Sequence, residues 1–217
     1  MKRINGFDLP MSTQEWVDPS RTALLIYDMQ IGICRQVESA AIVASIERLL
    51  AAARAARMRI IFTRHMSLPK ALMGRMAYRT AMAWQRTDDP DAVEPWFLRD
   101  SPGFGLVPAL APTPDEVVFD KITMSAFEGT PLAITLRDCG VEAIAIAGIA
   151  LEIGIEPTVR HAADLGIVPI IIEDACGYGN AAAAARSIEQ MRFSGDAVFT
   201  NENEFIGLLS GVGLPAS

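Results

Sequence analysis

The chain is 217 residues long, 51% hydrophobic and 21% charged, with a formal net charge of −7. That balance suits a single globular domain, residues 1–217, and argues against a nucleic-acid or anionic-membrane surface. No apolar run approaches the ~20 residues that span a bilayer, the N-terminal MKRINGFDLPMSTQEW has no apolar signal-peptide core, and Cys34, Cys139 and Cys176 offer neither a disulfide framework nor a C-x-x-C metal site, so a reducing, cytoplasmic setting is expected.

In chain order, RTALLIYD (21–28) reads as a buried strand ending in an aspartate. A helix follows from Glu38 to about Arg57, and RIIFTRH (59–65) is a second strand with a basic end. Residues 66–116 scatter Met, Trp, Arg and Pro between the turn signals DDPD and SPGFG. A connection of that length inside a compact domain is expected to be functional, here a lid. VVFDK (117–121) is a third strand, and TPLAITLRDCG (130–140) is a helix stopped by Gly140. VEAIAIAG, a helix over 154–165 and IVPIIIEDACG form a strand–helix–strand unit. A helix over 181–194, the short strand DAVFT and a final helix complete the chain.

Strands alternate with helices, and the strands are continuously apolar rather than alternating, the pattern of a parallel sheet covered on both faces. The expected fold is a three-layer α/β/α sandwich with a mostly parallel sheet of about six strands and Rossmann-like topology. No G-x-G-x-x-G follows the first strand and no Walker-type G-K-[ST] occurs, so no nucleotide or other cofactor is expected. In such a sheet ligands bind outside the carboxyl ends of the strands. Those ends carry Asp28, then Arg64 and His65, then Asp120 and Lys121, then the GIALEIG turn, then Glu173, Asp174 and Cys176. Asp28 directly ends an apolar run, so its carboxylate is expected to be part-buried and in need of a partner, with Lys121 the candidate.

YDMQIGIC, FTRHMS, DKITMSAFEGTPLAITLRDCG and AIAGIALEIGIEPTVRHAADLGIVPIIIEDACG together resemble the isochorismatase-like hydrolase superfamily, in order from about residue 20 to 200. In its cysteine-hydrolase branch an aspartate in D-M-Q, a lysine before S-A-F-x-G-T and a cysteine after the G-x-A turn do the work. The resemblance places Asp28 and Lys121 in the first two roles and Gly154 in the third. A glycine cannot form a thioester. Isochorismatases, which cleave a vinyl ether without a covalent intermediate, also have glycine there, so Gly154 is expected to free volume and leave backbone N–H groups facing the pocket. The turn, however, reads Leu151-Glu152-Ile153-Gly154, closer to the amidase branch. The resemblance also implies a non-proline cis peptide within Gly148-Ile149-Ala150-Leu151. The His-rich metal site of nicotinamidases has no counterpart, since His65 and His161 are the chain's two histidines, and no metal is expected.

The expected reading is thus a hydrolase of a small, anionic molecule. Asp28 is its general acid or base, Lys121 its partner, and Gly154 completes the catalytic set. The expected substrate-binding residues are Gln30, His65, Trp84, Phe127, Ala150, Leu151 and Glu152. Arg75, Arg79 and Arg86 of the lid are candidates to clamp a carboxylate. The Met- and Trp-rich lid is a pocket wall or a subunit interface, and a homo-oligomer, dimer or tetramer, is expected. Three alternatives stand beside this reading: a cysteine-type amidohydrolase whose nucleophile at 154 is absent or replaced, a nucleophile relocated to Cys34 or Cys176, and a non-catalytic ligand-binding homologue.

Overall fold

The computed structural model describes residues 1–211. A small antiparallel hairpin, β1 (Lys2–Ile4) and β2 (Phe7–Leu9), precedes a short helix α1 (Thr13–Trp16). The main sheet is built from β3 (Thr22–Tyr27), β4 (Arg59–His65), β5 (Val117–Lys121), β6 (Ala143–Ile149), β7 (Val168–Gly177) and β8 (Val198–Thr200). These strands run in the order β5-β4-β3-β6-β7-β8, every neighbouring pair parallel. The chain winds outward one way from β3 and then returns to wind the other way from β6. The switch point therefore lies between β3 and β6, where the crevice of a doubly wound sheet opens.

Side-chain alternation along β3 shows why both faces are covered. Leu24 and Ile26 enter one buried cluster with Ile46, Leu49 and Ala53 of α3 (Ala40–Ala55) and Phe205 of α8 (Glu202–Leu209). Ala23, Leu25 and Tyr27 enter the other, with Leu132 and Leu136 of the next helix, Leu132–Asp138, Val159 and Ala162 of Glu156–Asp164, and Met191 of Ala181–Ser194. In chain order the remaining helices are α2 (Ile31–Cys34), α4 (Arg75–Gln85), α5 (Leu132–Asp138), α6 (Glu156–Asp164) and α7 (Ala181–Ser194).

The helix expected over 154–165 is two elements. Residues Leu151–Ile155 form a π-helical turn, and α6 begins at Glu156 with Pro157 in its first turn, where a missing N–H costs nothing. The 66–116 segment is more ordered than its sequence suggests. It contains α4 and short 3₁₀ turns, and its second half is tied to α2 by Ile31 N–H to Gly105 O (2.9 Å) and Gly32 N–H to Gly103 O (2.9 Å). Gly32 permits that approach, because a Cβ there would lie 2.9 Å from the Phe97 ring. No described helix is long and apolar enough to cross a membrane.

Candidate active site

Three strand ends converge at the switch point. β3 stops at Tyr27, and Asp28 takes a left-handed conformation (φ 49°) that breaks the ladder. Its carboxylate, 3% exposed, accepts from Lys121 Nζ at 2.7 Å through Oδ2 and from Thr63 Oγ1 at 2.7 Å through Oδ1. Lys121 ends β5 and reaches past β4. Its ammonium, equally buried, donates also to Tyr27 Oη at 2.8 Å and to Thr123 O at 3.1 Å. All three N–H groups of the ammonium are thereby engaged. Tyr27 Oη in turn donates to the Met124 carbonyl. Burial, reinforced by the Asp28 charge, raises the phenol well above its ordinary value near 10, so it stays neutral.

From the other side of the switch point, β6 delivers the turn. Gly148 (φ 139°) lies so close to β3 that a Cβ there would come within 2.8 Å of the Tyr27 backbone N and C. The Ile149–Ala150 peptide is cis. The π-helical turn folds back on itself: the N–H groups of Gly154 and Ile155 donate to the Ala150 carbonyl at 3.0 and 3.2 Å. Gly154 N–H is therefore turned away from the cavity, a correction to the expectation that the glycine would leave it facing ligand. Nor is the room beside Gly154 vacant. A Cβ on residue 154 would collide with Tyr27 Oη and Cζ and lie 2.5 Å from Cε1.

A cavity of about 250 Å³ opens against this cluster, lined by Tyr27, Asp28, His65, Trp84, Trp96, Phe97, Met124, Ala150 and Gly154, with Ile33, Gln36 and Val37 from the α2 side and Ile149, Ile153 and Gly179 completing the wall. A second cavity of about 610 Å³ adjoins it along α4 and shares His65, Trp84, Trp96, Phe97 and Met124. The His65 ring meets Trp84 and Phe97 edge-on, each with centroids 5.9 Å apart. Burial drives its imidazole down to about 4; the Asp28 charge pulls upward and the Lys121 charge downward. His65 is thus neutral at physiological pH.

Asp28, Gly154, His65, Trp84 and Ala150 share one cavity, with Lys121 directly behind Asp28. The other residues expected to bind substrate lie elsewhere, each for a local reason. Gln30 is fully buried and clasps β4, accepting from His65 N–H at 2.6 Å and donating to His65 O and Phe104 O at 3.0 and 2.9 Å. Leu151 is core, and Phe127 packs on His161 (centroids 5.5 Å). Glu152 Oε1 accepts from the N–H groups of Gly179 and Asn180 at 2.8 and 2.7 Å, bracing the start of α7. Of the lid arginines, Arg75 lines the adjoining cavity. Tyr27 and Thr63, which complete the Asp28–Lys121 cluster, were hidden in sequence inside apolar strands.

The thiols stand apart from the chemistry. Cys176 is buried, its Sγ 3.6 Å from Ile146 O, and burial pushes its pKa up to about 12. Cys34 packs against the α3-side core, and burial raises its pKa as well. Cys139 is exposed at the end of α5. Neither Cys34 nor Cys176 is among the residues lining the Asp28 cavity. Among the described residues no three His, Cys, Asp or Glu side chains gather as a metal site requires.

A doubly wound α/β sheet with a buried carboxylate–ammonium pair at its switch point, facing a small aromatic-walled cavity, is the arrangement of a small-molecule site in an α/β fold. The chain belongs to the isochorismatase family of hydrolases: the Isochorismatase domain profile matches residues 22–203. The isochorismatase family protein YecD of Escherichia coli O157:H7 is 37% identical over 83 residues, 38% of this chain and 44% of that protein. The chain thus matches less than half of that relative's length. The ureidoacrylate amidohydrolase RutB of Pantoea ananatis is 28% identical over 173 residues, 72% of this chain and 69% of its own. Among solved structures, a cysteine hydrolase from Pseudomonas syringae pv. phaseolicola superposes with a TM-score of 0.79 at 28% identity, covering 91% of this chain and 96% of that one.

Proposed function

We propose that this protein hydrolyses a small, anionic molecule by acid–base chemistry between Asp28 and water, with no cysteine nucleophile. The observation that carries the reading is the Asp28 carboxylate, held by Lys121 and Thr63 yet exposed to a cavity that no thiol lines. Asp28 has accepting capacity left beyond its two protein hydrogen bonds, so it can take a proton from a water placed in the cavity. Lys121 holds the carboxylate fixed in direction. Having no free N–H, it acts through Asp28 rather than on substrate. Neutral His65 can donate or accept one hydrogen bond at the opposite wall, and Arg75 in the adjoining cavity would meet a carboxylate on an extended substrate. Residues 66–116 serve as the lid over one domain, supplying Trp84, Trp96 and Phe97.

A second reading concerns the bond cleaved. The similarity to ureidoacrylate amidohydrolases favours a C–N bond over a vinyl ether, with the same water as nucleophile. The test is a panel of vinyl ethers, esters and amides offered to the native protein, to iodoacetamide-treated protein and to Asp28→Asn. Native and alkylated protein are expected to turn over the same substrate at the same rate. Asp28→Asn keeps the shape and loses proton exchange, a drop of roughly 10²–10⁴-fold. Loss of activity on alkylation would put the nucleophile on a cysteine, and absence of turnover in every form would make the protein a ligand binder.

A further inference from the structure

The place where a side chain on residue 154 would begin is already taken. Tyr27 Oη stands there, and a Cβ on Gly154 could be admitted only by moving the phenol. That phenol is poorly able to move. Its backbone is paired across β3 and β6 with Gly148, at the closest approach in the switch point. The Lys121 ammonium lies 4.3 Å from its ring centroid, and Oη is held from one side by Lys121 and from the other by the Met124 carbonyl. Charge points the same way. Lys121 and Asp28 together are neutral, and every ammonium proton is engaged. A thiolate at 154 would press a second anion into this buried cluster, whereas the phenol satisfies Lys121 without adding charge.

We propose that Tyr27 and Gly154 act as one specificity-determining pair, in which the phenol fills the room of a residue-154 side chain, replaces it beside Lys121, and restricts the site to chemistry run by Asp28 on water. This rests on the reading of Asp28 as the group that activates water. Gly154 alone does not define the site: restoring a side chain there fails while Tyr27 remains. The phenol, neutral and already donating to Met124 O, is not itself a relocated nucleophile.

The pair is tested without any substrate by a cycle of Gly154→Ala and Tyr27→Val, read as thermal midpoint. In a helical turn, Gly→Ala ordinarily stabilises slightly. In the native background it is expected here to do the reverse and lower the midpoint by roughly 5 °C or more, the size set by a strongly resisted overpacking in a chain of this length. In the Tyr27→Val background Gly154→Ala is expected to be neutral or stabilising, a non-additivity that marks direct coupling. In parallel, alkylation of residue 154 by iodoacetamide at pH 7, followed by mass spectrometry of its peptide, is compared between Gly154→Cys and Tyr27→Val/Gly154→Cys. The double variant is expected to react at least about tenfold faster, since its thiol can settle in the room the phenol leaves and be reached from the cavity. Gly154→Ala that is neutral or stabilising in the native background overturns the proposal, even if no Tyr27→Val variant folds. Equal alkylation rates in the two cysteine variants overturn it as well. Neither result touches the role of Asp28, which the Asp28→Asn assay decides on its own.

Discussion

Two ion pairs sit side by side at the end of β5, and they serve different ends. The β4–β5 register sets Arg64 opposite Asp120 and His65 opposite Lys121. Because successive side chains on a strand point to opposite faces, one rung looks outward to the lid and the next looks inward to the switch point. On the outer rung Asp120 is bound by Arg64 at 2.7 Å and by Arg99 of the 66–116 segment at 3.1 Å, with Arg64 stacked on Phe104 (4.3 Å). Its partners are solvent-accessible, at 26% and 58% side-chain exposure. On the inner rung Lys121 and Asp28 are 0% and 5% exposed, and the carboxylate faces a cavity. The outer pair fastens a segment; the inner pair keeps a charge buried beside a place where substrate can come. Burial and the direction in which the spare valence points separate an anchor from a group that faces a cavity, and residue type alone does not.

The sharpest way to break the contrast is to remove one charge from each pair, the buried cation first. Lys121→Met leaves the Asp28 carboxylate buried without its counter-charge, a loss expected at about 3–5 kcal/mol in urea unfolding. Turnover is expected to fall with it, since the carboxylate loses the ammonium that fixes its direction. A Lys121→Met protein of native stability would place the pair closer to water than the geometry does.

The inner rung also carries a pH signature through His65. Its folded-state value of about 4 lies below the ordinary 6.5. The unfolded chain therefore binds a proton that the native state refuses, and stability is full above about pH 6.5, declines as pH falls towards 4, and levels off below. The shift of about 2.5 units sets the loss at roughly 3 kcal/mol at most. Comparing urea midpoints of the native protein and His65→Phe between pH 7 and 4 isolates it, because the variant lacks that slope. A parallel decline in both would assign the acid lability to carboxylates instead.

The smallest effect belongs to the outer rung. Asp120→Asn weakens contacts that solvent already screens, so the stability change is expected to be about 1 kcal/mol or less. Arg99 is released from β5 near Trp96 and Phe97, which wall the cavity. KM should rise a few-fold while kcat holds. A fall in kcat comparable to that of Asp28→Asn would erase the distinction between the two rungs.

The sheet was largely legible in sequence because each of its strands is an uninterrupted apolar run, and Asp28 and Lys121 stood out as charges ending two of them. The Asn5-Gly6 turn of the N-terminal hairpin carries its own signal, both residues at positive φ (48° and 90°) and flanked by Ile4 and Phe7, but strands of three residues leave no longer apolar pattern to read. α4 is hard to read from sequence because its apolar stripe, Met76, Ala77, Ala81 and Trp84, faces the adjoining cavity and none of its residues is buried in a core. Proximity to a motif does not by itself bring a side chain into the cavity. Gln30, Leu151, Glu152 and Phe127 neighbour chemistry-bearing positions in sequence, yet a hydrogen-bonded clasp, core packing and a helix brace absorb them. Tyr27 is the converse case. Read as the last apolar residue of a strand, it proves to occupy the centre of the site, which only the three-dimensional closeness of β3, β5 and β6 reveals.

Lys121 belongs to β5, an edge strand of the sheet, whereas its partner immediately follows β3, two strands inward and 93 residues earlier in the chain. The last rung of an edge is where a sheet opens first, through excursions far short of global unfolding. Each such excursion draws the ammonium away from the carboxylate and lets water into the cluster. The Asp28–Lys121 pair is consequently tied to a closed rim, and whatever fastens that rim, Asp120 and Arg99 included, lengthens the time the pair spends assembled.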